Sequence, residues 1–117
     1  MPAEYDLALN PESQPPVVRL CTMVLSEALI GSVPAVRMHV ADDDRGTVDY
    51  ERAGKWEMVM QVPLPAFRPM VARILEMSDE AGAIHVRHEA THRILSVQVE
   101  DEAEPRIVIS GFVRSAA

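Results

Sequence analysis

The chain has 117 residues, 48% of them hydrophobic, which supports one modest core and leaves little room for a second domain. A net charge of -7 and an aromatic fraction of 4% argue against a phosphate-tracking surface and base-stacking platforms, so nucleic acid is not an expected partner. The single cysteine, Cys21, rules out an intrachain disulfide and fits a reducing cytoplasm, while no basic-then-apolar leader and no apolar run near ~20 residues point to membrane insertion.

Residues 1–14 mix acids, prolines and polar residues without a sustained period and are expected to form a flexible lead-in to a single domain over 15–117. Pro15-Pro16 then opens PVVRLCTMVLSEALIG. Val17, Leu20, Cys21, Val24, Leu25 and Ala28 recur at helical spacing and Gly31 supplies a stop, so an amphipathic helix is predicted. Beyond Pro34 the period becomes two: Val36, Met38 and Val40 alternate with Arg37 and His39, as in a strand. ADDDRG (41–46) reads as a turn, and TVDYER and KWEMVMQV, joined by Ala53-Gly54, read as a hairpin.

Pro63 and Pro65 break that hairpin and begin a second amphipathic helix with Phe67, Met70, Val71, Ile74 and Leu75 on one face and its exit at Gly82; Pro69 is placed in the first turn, where a missing N–H matters little. Period two returns at Ile84 and Val86, at Leu95, Val97 and Val99, and in RIVISGFV after the acidic turn DEAEP. This order predicts an α+β, two-layer sandwich: an antiparallel sheet of about five to six strands with two main helices on one face.

His88-Glu89-Ala90-Thr91-His92 spells H-E-x-x-H, the zinc-peptidase pattern, in which His88 and His92 would hold the ion and Glu89 would activate water. That chemistry requires a helix, where residues four apart share a face. Alternation on both sides, the β-branched Thr91, Ile94, Val97 and Val99, and the lack of a preceding cap favour a turn between strands instead. Asp42-Asp43-Asp44-Arg45-Gly46 fails as a calcium loop, since aligning Gly46 with the sharp turn puts Ala41, Arg45 and Arg52 where carboxylates are needed. Ser26, Glu27 and His39 show no nucleophile–base spacing, and no phosphate-loop motif occurs. No cofactor is expected.

PVVRLCTMVLSEAL, RMHV, VDYERAGKWEMVMQVP and MVARILEM, in that order over residues 16–77, resemble the domain that precedes the motor in secretion ATPases of the type II secretion and type IV pilus assembly family. The resemblance implies a PAS-like fold. His39 stands where that family's strand has a histidine, whereas Arg37 and Ala41 replace its acidic neighbours. Asp49 and Glu51 stand where the family has arginines that approach nucleotide phosphates, and carboxylates repel phosphates. A non-catalytic protein-interaction or scaffold module is therefore expected, with Arg37, His39, Asp49 and Glu51 as interaction candidates. Its partner would be a component of a secretion or pilus assembly, or a second copy of itself. The alternative is a PAS-like sensor holding a small ligand against Met38, Met58, Met60 and Met70.

Overall fold

Proline's fixed φ suits a helix start, and its missing N–H is one that no helical carbonyl would accept. Pro16 accordingly opens α1 (Pro16–Gly31) in the computed structural model, which describes residues 4–7, 14–42, 44–101, 104 and 106–113. Cys21, Val24, Leu25, Ala28 and Leu29 are buried along one stripe of α1. The stop differs in detail from the expectation: Gly31 is the last helical residue, and Ser32 takes the left-handed conformation (φ 49°). The N–H groups of Ser32 and Val33 donate to Leu29 and Ala28, and Val33 is driven into the core.

Strand β1 (Glu4–Asp6) precedes α1, and β2 (Ala35–Val40), β3 (Arg45–Arg52) and β4 (Lys55–Pro63) follow it. Helix α2 (Leu64–Met77) leads to β5 (Ala83–His88), β6 (Thr91–Asp101) and β7 (Arg106–Ser110). The class is α+β, as expected, but the sheet has seven strands in the order β1-β5-β6-β7-β2-β3-β4 and is mixed, because β1 runs parallel to β5. The added strand comes from within the expected lead-in. Glu4, Tyr5, Asp6 and Leu7 alternate polar and apolar, Leu7 is buried, and its N–H donates to Arg87. Four residues among breakers are too few to show a period. The rest of that lead-in, residues 1–3 and 8–13, lies outside the described residues.

Alternation sends Val36, Met38, Val48, Tyr50, Val62, Ile84, Val86, Leu95, Ile107 and Ile109 to one face, where they form a single core with the buried stripes of α1 and α2. Three contacts tie the layers together. Tyr50 donates its hydroxyl to the Val24 carbonyl, Cys21 Sγ lies 3.5 Å from the Met70 carbonyl, and Gly46 lies under the Phe67 ring. A Cβ at Gly46 would fall 2.1 Å from that ring, so the approach of α2 to β3 requires glycine there.

Helix α2 begins at Leu64, which puts Pro69 inside it and past the first turn, so its missing N–H removes a bond that the Pro65 carbonyl would have accepted. The burial of Phe67, Met70, Val71, Ile74 and Met77 offsets that loss. The helix ends at Met77, short of the expected exit at Gly82, because the Ser78 hydroxyl and N–H both donate to Leu75 and divert the chain. Among the described residues no helix is long and apolar enough to cross a membrane.

Candidate functional site

Among the described residues the other sheet face carries no helix, and the sequence's polar positions collect there. Arg37 and His39 on β2 stand opposite Asp49 and Thr47 on β3. Asp49 is only 4% exposed, and its Oδ2 accepts from Arg37 Nε (3.0 Å), Arg37 Nη2 (2.8 Å) and His39 Nε2 (3.0 Å). A carboxylate this buried is tolerable because two cationic or polar donors converge on it. Thr47 Oγ1 lies 2.8 Å from the same His39 Nε2. A hydrolytic relay needs the nucleophile and the acid on opposite ring nitrogens. Here both fall on Nε2, so Thr47 is not activated and the cluster is a brace.

What the brace holds is Trp56. The Arg37 guanidinium carbon sits 4.7 Å from the Trp56 ring centroid, so one arginine links buried Asp49 to an aromatic side chain on β4. Among the described residues strand β4 is an edge, and Trp56, Met58 and Val59 are 37%, 55% and 41% exposed along it. The ladder slips between Val48 and Asp49, leaving Val59 as the extra residue of a bulge on β4. Of the four interaction candidates, the structure joins Arg37, His39 and Asp49. Glu51 is separate from those contacts and lies opposite Trp56 in the ladder.

The H-E-x-x-H segment forms a tight hairpin. His88 pairs with Thr91 and Arg87 with His92, while Glu89 and Ala90 occupy the two turn positions with φ of 50° and 65°. Two positive φ values define a type I′ turn, whose twist suits antiparallel strands. Because cross-strand partners share a face and successive residues alternate, His88 and His92 point to opposite faces. The peptidase arrangement of both imidazoles on one helix face is not formed, and Glu89 belongs to the turn.

His92 instead meets His85, at 3.4 Å between His92 Nε2 and His85 Nδ1. Its other nitrogen lies against Glu4, whose second oxygen accepts from Arg87 at 2.8 Å. The His92 hydrogen bond, with the Arg87 and His92 charges, holds the Glu4 carboxyl below its ordinary range. Asp79 lies 3.8 Å from His85 and is likewise held low, chiefly by the N–H groups of Ala83 and Ala81. Sequence reasoning missed His85, Glu4 and Asp79, since nothing in a linear pattern shows that β1 and a diagonal strand neighbour converge.

The remaining candidates are structural. Burial pushes the Cys21 thiol up to about 12, and burial, followed by the nearby Glu27 charge, pushes Tyr50 up to about 12. Asp42 accepts from the Asp44 N–H, and the two carboxyls shift apart, Asp42 down and Asp44 up, through their mutual hydrogen bond; Asp43 lies outside the described residues. Met38 and Met70 are fully packed in the core, whereas Met58 is exposed, so the methionines line no common chamber. A cleft of about 450 Å³ lies between the end of α1 and the β5–β6 hairpin, lined by Leu29, Ile30, Ser32, His88, Glu89, Thr91 and Arg93. Among the described residues no group of three or more His, Cys, Asp or Glu side chains is placed to hold a metal ion. No protein-family model matches the chain, and no curated protein matches it in sequence.

Proposed function

We propose that this chain is a non-catalytic protein-interaction module whose docking element is the β4 edge and whose partner there is a second copy of itself. The observation that carries the reading is the braced apolar strip, Trp56, Met58 and Val59, on a strand that among the described residues has no neighbour on its outer side. Exposed apolar edge strands recruit further strands, and main-chain pairing supplies much of the affinity. The bulge at Val59 confines regular pairing to Lys55–Met58. Within that stretch an antiparallel register centred on Lys55 or Glu57 would set like charges opposite each other. The register centred on Trp56 sets Trp56 on Trp56 and each Lys55 opposite the other copy's Glu57, combining an aromatic pair with opposite charges.

The resemblance to motor-preceding domains suggests a secretion or pilus-type assembly as the setting, with a PAS-like scaffold presenting the edge. The sensor alternative draws no support from Met38 and Met70, which are packed core residues. Sedimentation equilibrium of the full chain up to about 100 µM, a concentration suited to weak pairing, tests the reading. A monomer–dimer equilibrium that Met58→Lys shifts to monomer is expected. A strictly monomeric wild-type chain, or a dimer indifferent to Met58→Lys, would refute docking through β4.

A further inference from the structure

We propose that His85 and His92 form a two-histidine site for a first-row divalent transition-metal ion on the helix-free face where β1, β5 and β6 meet. The site is remote in strand order from the β4 edge and independent of what docks there. His85 lies opposite Ile94 and His92 opposite Arg87, so the two imidazoles are diagonal neighbours on one face. Their ring centroids are 5.4 Å apart with planes tilted by 42°, and the facing nitrogens, His85 Nδ1 and His92 Nε2, are 3.4 Å apart.

That separation is long for a nitrogen-donor hydrogen bond, which usually spans ~2.7–3.2 Å. It suits a shared metal ion: two metal–nitrogen bonds of ~2.0–2.1 Å at a tetrahedral angle place their nitrogens about 3.3–3.4 Å apart.

The outer nitrogens strengthen the case. His92 Nδ1 lies 2.5 Å from Glu4 Oε2, and His85 Nε2 lies 3.8 Å from Asp79 Oδ2. A carboxylate within hydrogen-bond reach favours the tautomer whose N–H points toward it, so His92 turns its Nε2 lone pair inward, while Asp79, too far for a hydrogen bond, adds only a negative charge beside His85. His85 Nδ1 faces that lone pair at 3.4 Å, a spacing from which both nitrogens can bind one cation. The two carboxylates are themselves held: Glu4 accepts from Arg87 at 2.8 Å, and Asp79 Oδ1 accepts from the N–H groups of Ala81 (2.9 Å) and Ala83 (3.0 Å). The Glu4–His92 contact is the outer-shell bond that metal-ligating histidines use, and imidazole pairs suit zinc, nickel and copper. With two protein ligands the other coordination positions fall to water, and affinity stays below that of a closed site.

Calorimetric titration of the full chain with zinc chloride, and separately with nickel chloride, at about pH 7.5, where free imidazole is mostly neutral, tests the proposal. One ion per chain is expected. His85→Gln and His92→Gln each lower the affinity at least tenfold, Glu4→Gln lowers it by a smaller factor, and His88→Gln leaves it unchanged. Nickel-induced broadening of the His85 and His92 ring signals in the wild-type chain gives a second readout that needs no variant. Absence of saturable binding would show that a proton alone fills the gap. Binding that survives both histidine variants, or that broadens His88 instead, would also overturn the assignment.

Discussion

Replacing Asp49 by asparagine removes the charge at the centre of the brace while keeping its shape. The carboxylate side chain is 5% exposed and accepts two hydrogen bonds from Arg37 and one from His39. Removing one member of a fully buried ion pair costs about 3–5 kcal/mol. Here Arg37 and His39 remain 26% and 20% exposed and can regain water, so the expected loss is about half that, or roughly 2 kcal/mol. For a domain of this length that corresponds to a fall in Tm on the order of 8 °C. Urea unfolding followed by fluorescence measures it well, because Trp56 is the only tryptophan and sits against Arg37. The folded-state emission of Asp49→Asn should also shift, since Arg37 loses its anchor. A stability change under about 0.5 kcal/mol, the usual range for surface substitutions, with unchanged emission would refute the claim that Asp49 holds Arg37 over Trp56.

Gly46→Ala forces a Cβ to within 2.1 Å of the fully buried Phe67 ring, and thermal melts should show a loss of about 1–3 kcal/mol, as for other overpacked cores. Replacing Glu89-Ala90 by Asn-Gly supplies residues suited to positive φ and should raise stability by roughly 1 kcal/mol in urea titrations; a loss would contradict the type I′ turn. The folded-state pKa of Glu4 is depressed below 4.5, so its contribution is present above that value and disappears as pH falls through the depressed one. The protection factor of the Leu7 amide, which donates to Arg87, should therefore fall on acidification through this range once the intrinsic slowing of exchange is divided out, and more weakly in Glu4→Gln.

Both helices and the β3–β4 hairpin were legible because long apolar periods and the Ala53-Gly54 turn carry local signals, and Gly54 indeed has positive φ. Strand β1 was not, since Glu4–Asp6 gains its stability from pairing with β5, a partner distant in sequence. The Glu89-Ala90 turn lacked the glycine or asparagine that usually marks it, and tertiary pairing holds two ordinary residues at positive φ. Alternation was enough to separate His88 from His92. It could not show that His92 meets His85, because a diagonal contact depends on register. Arg37, His39 and Asp49 could be named from the sequence, but that they brace Trp56 follows from β2–β3 pairing and from β4 ending the sheet. Pro69 was misplaced: whether the helix is started at Leu64 or at Pro65, residue 69 lies beyond the first turn and its N–H would have bonded the Pro65 carbonyl.

Hydrogen exchange at the β4 amides across a dilution series tests the edge-docking claim most directly. Protection over Lys55–Met58 should rise with protein concentration while the α2 amides stay unchanged, as expected if a second strand covers the outer side of β4. Exchange at β4 that is fast and independent of concentration would contradict it.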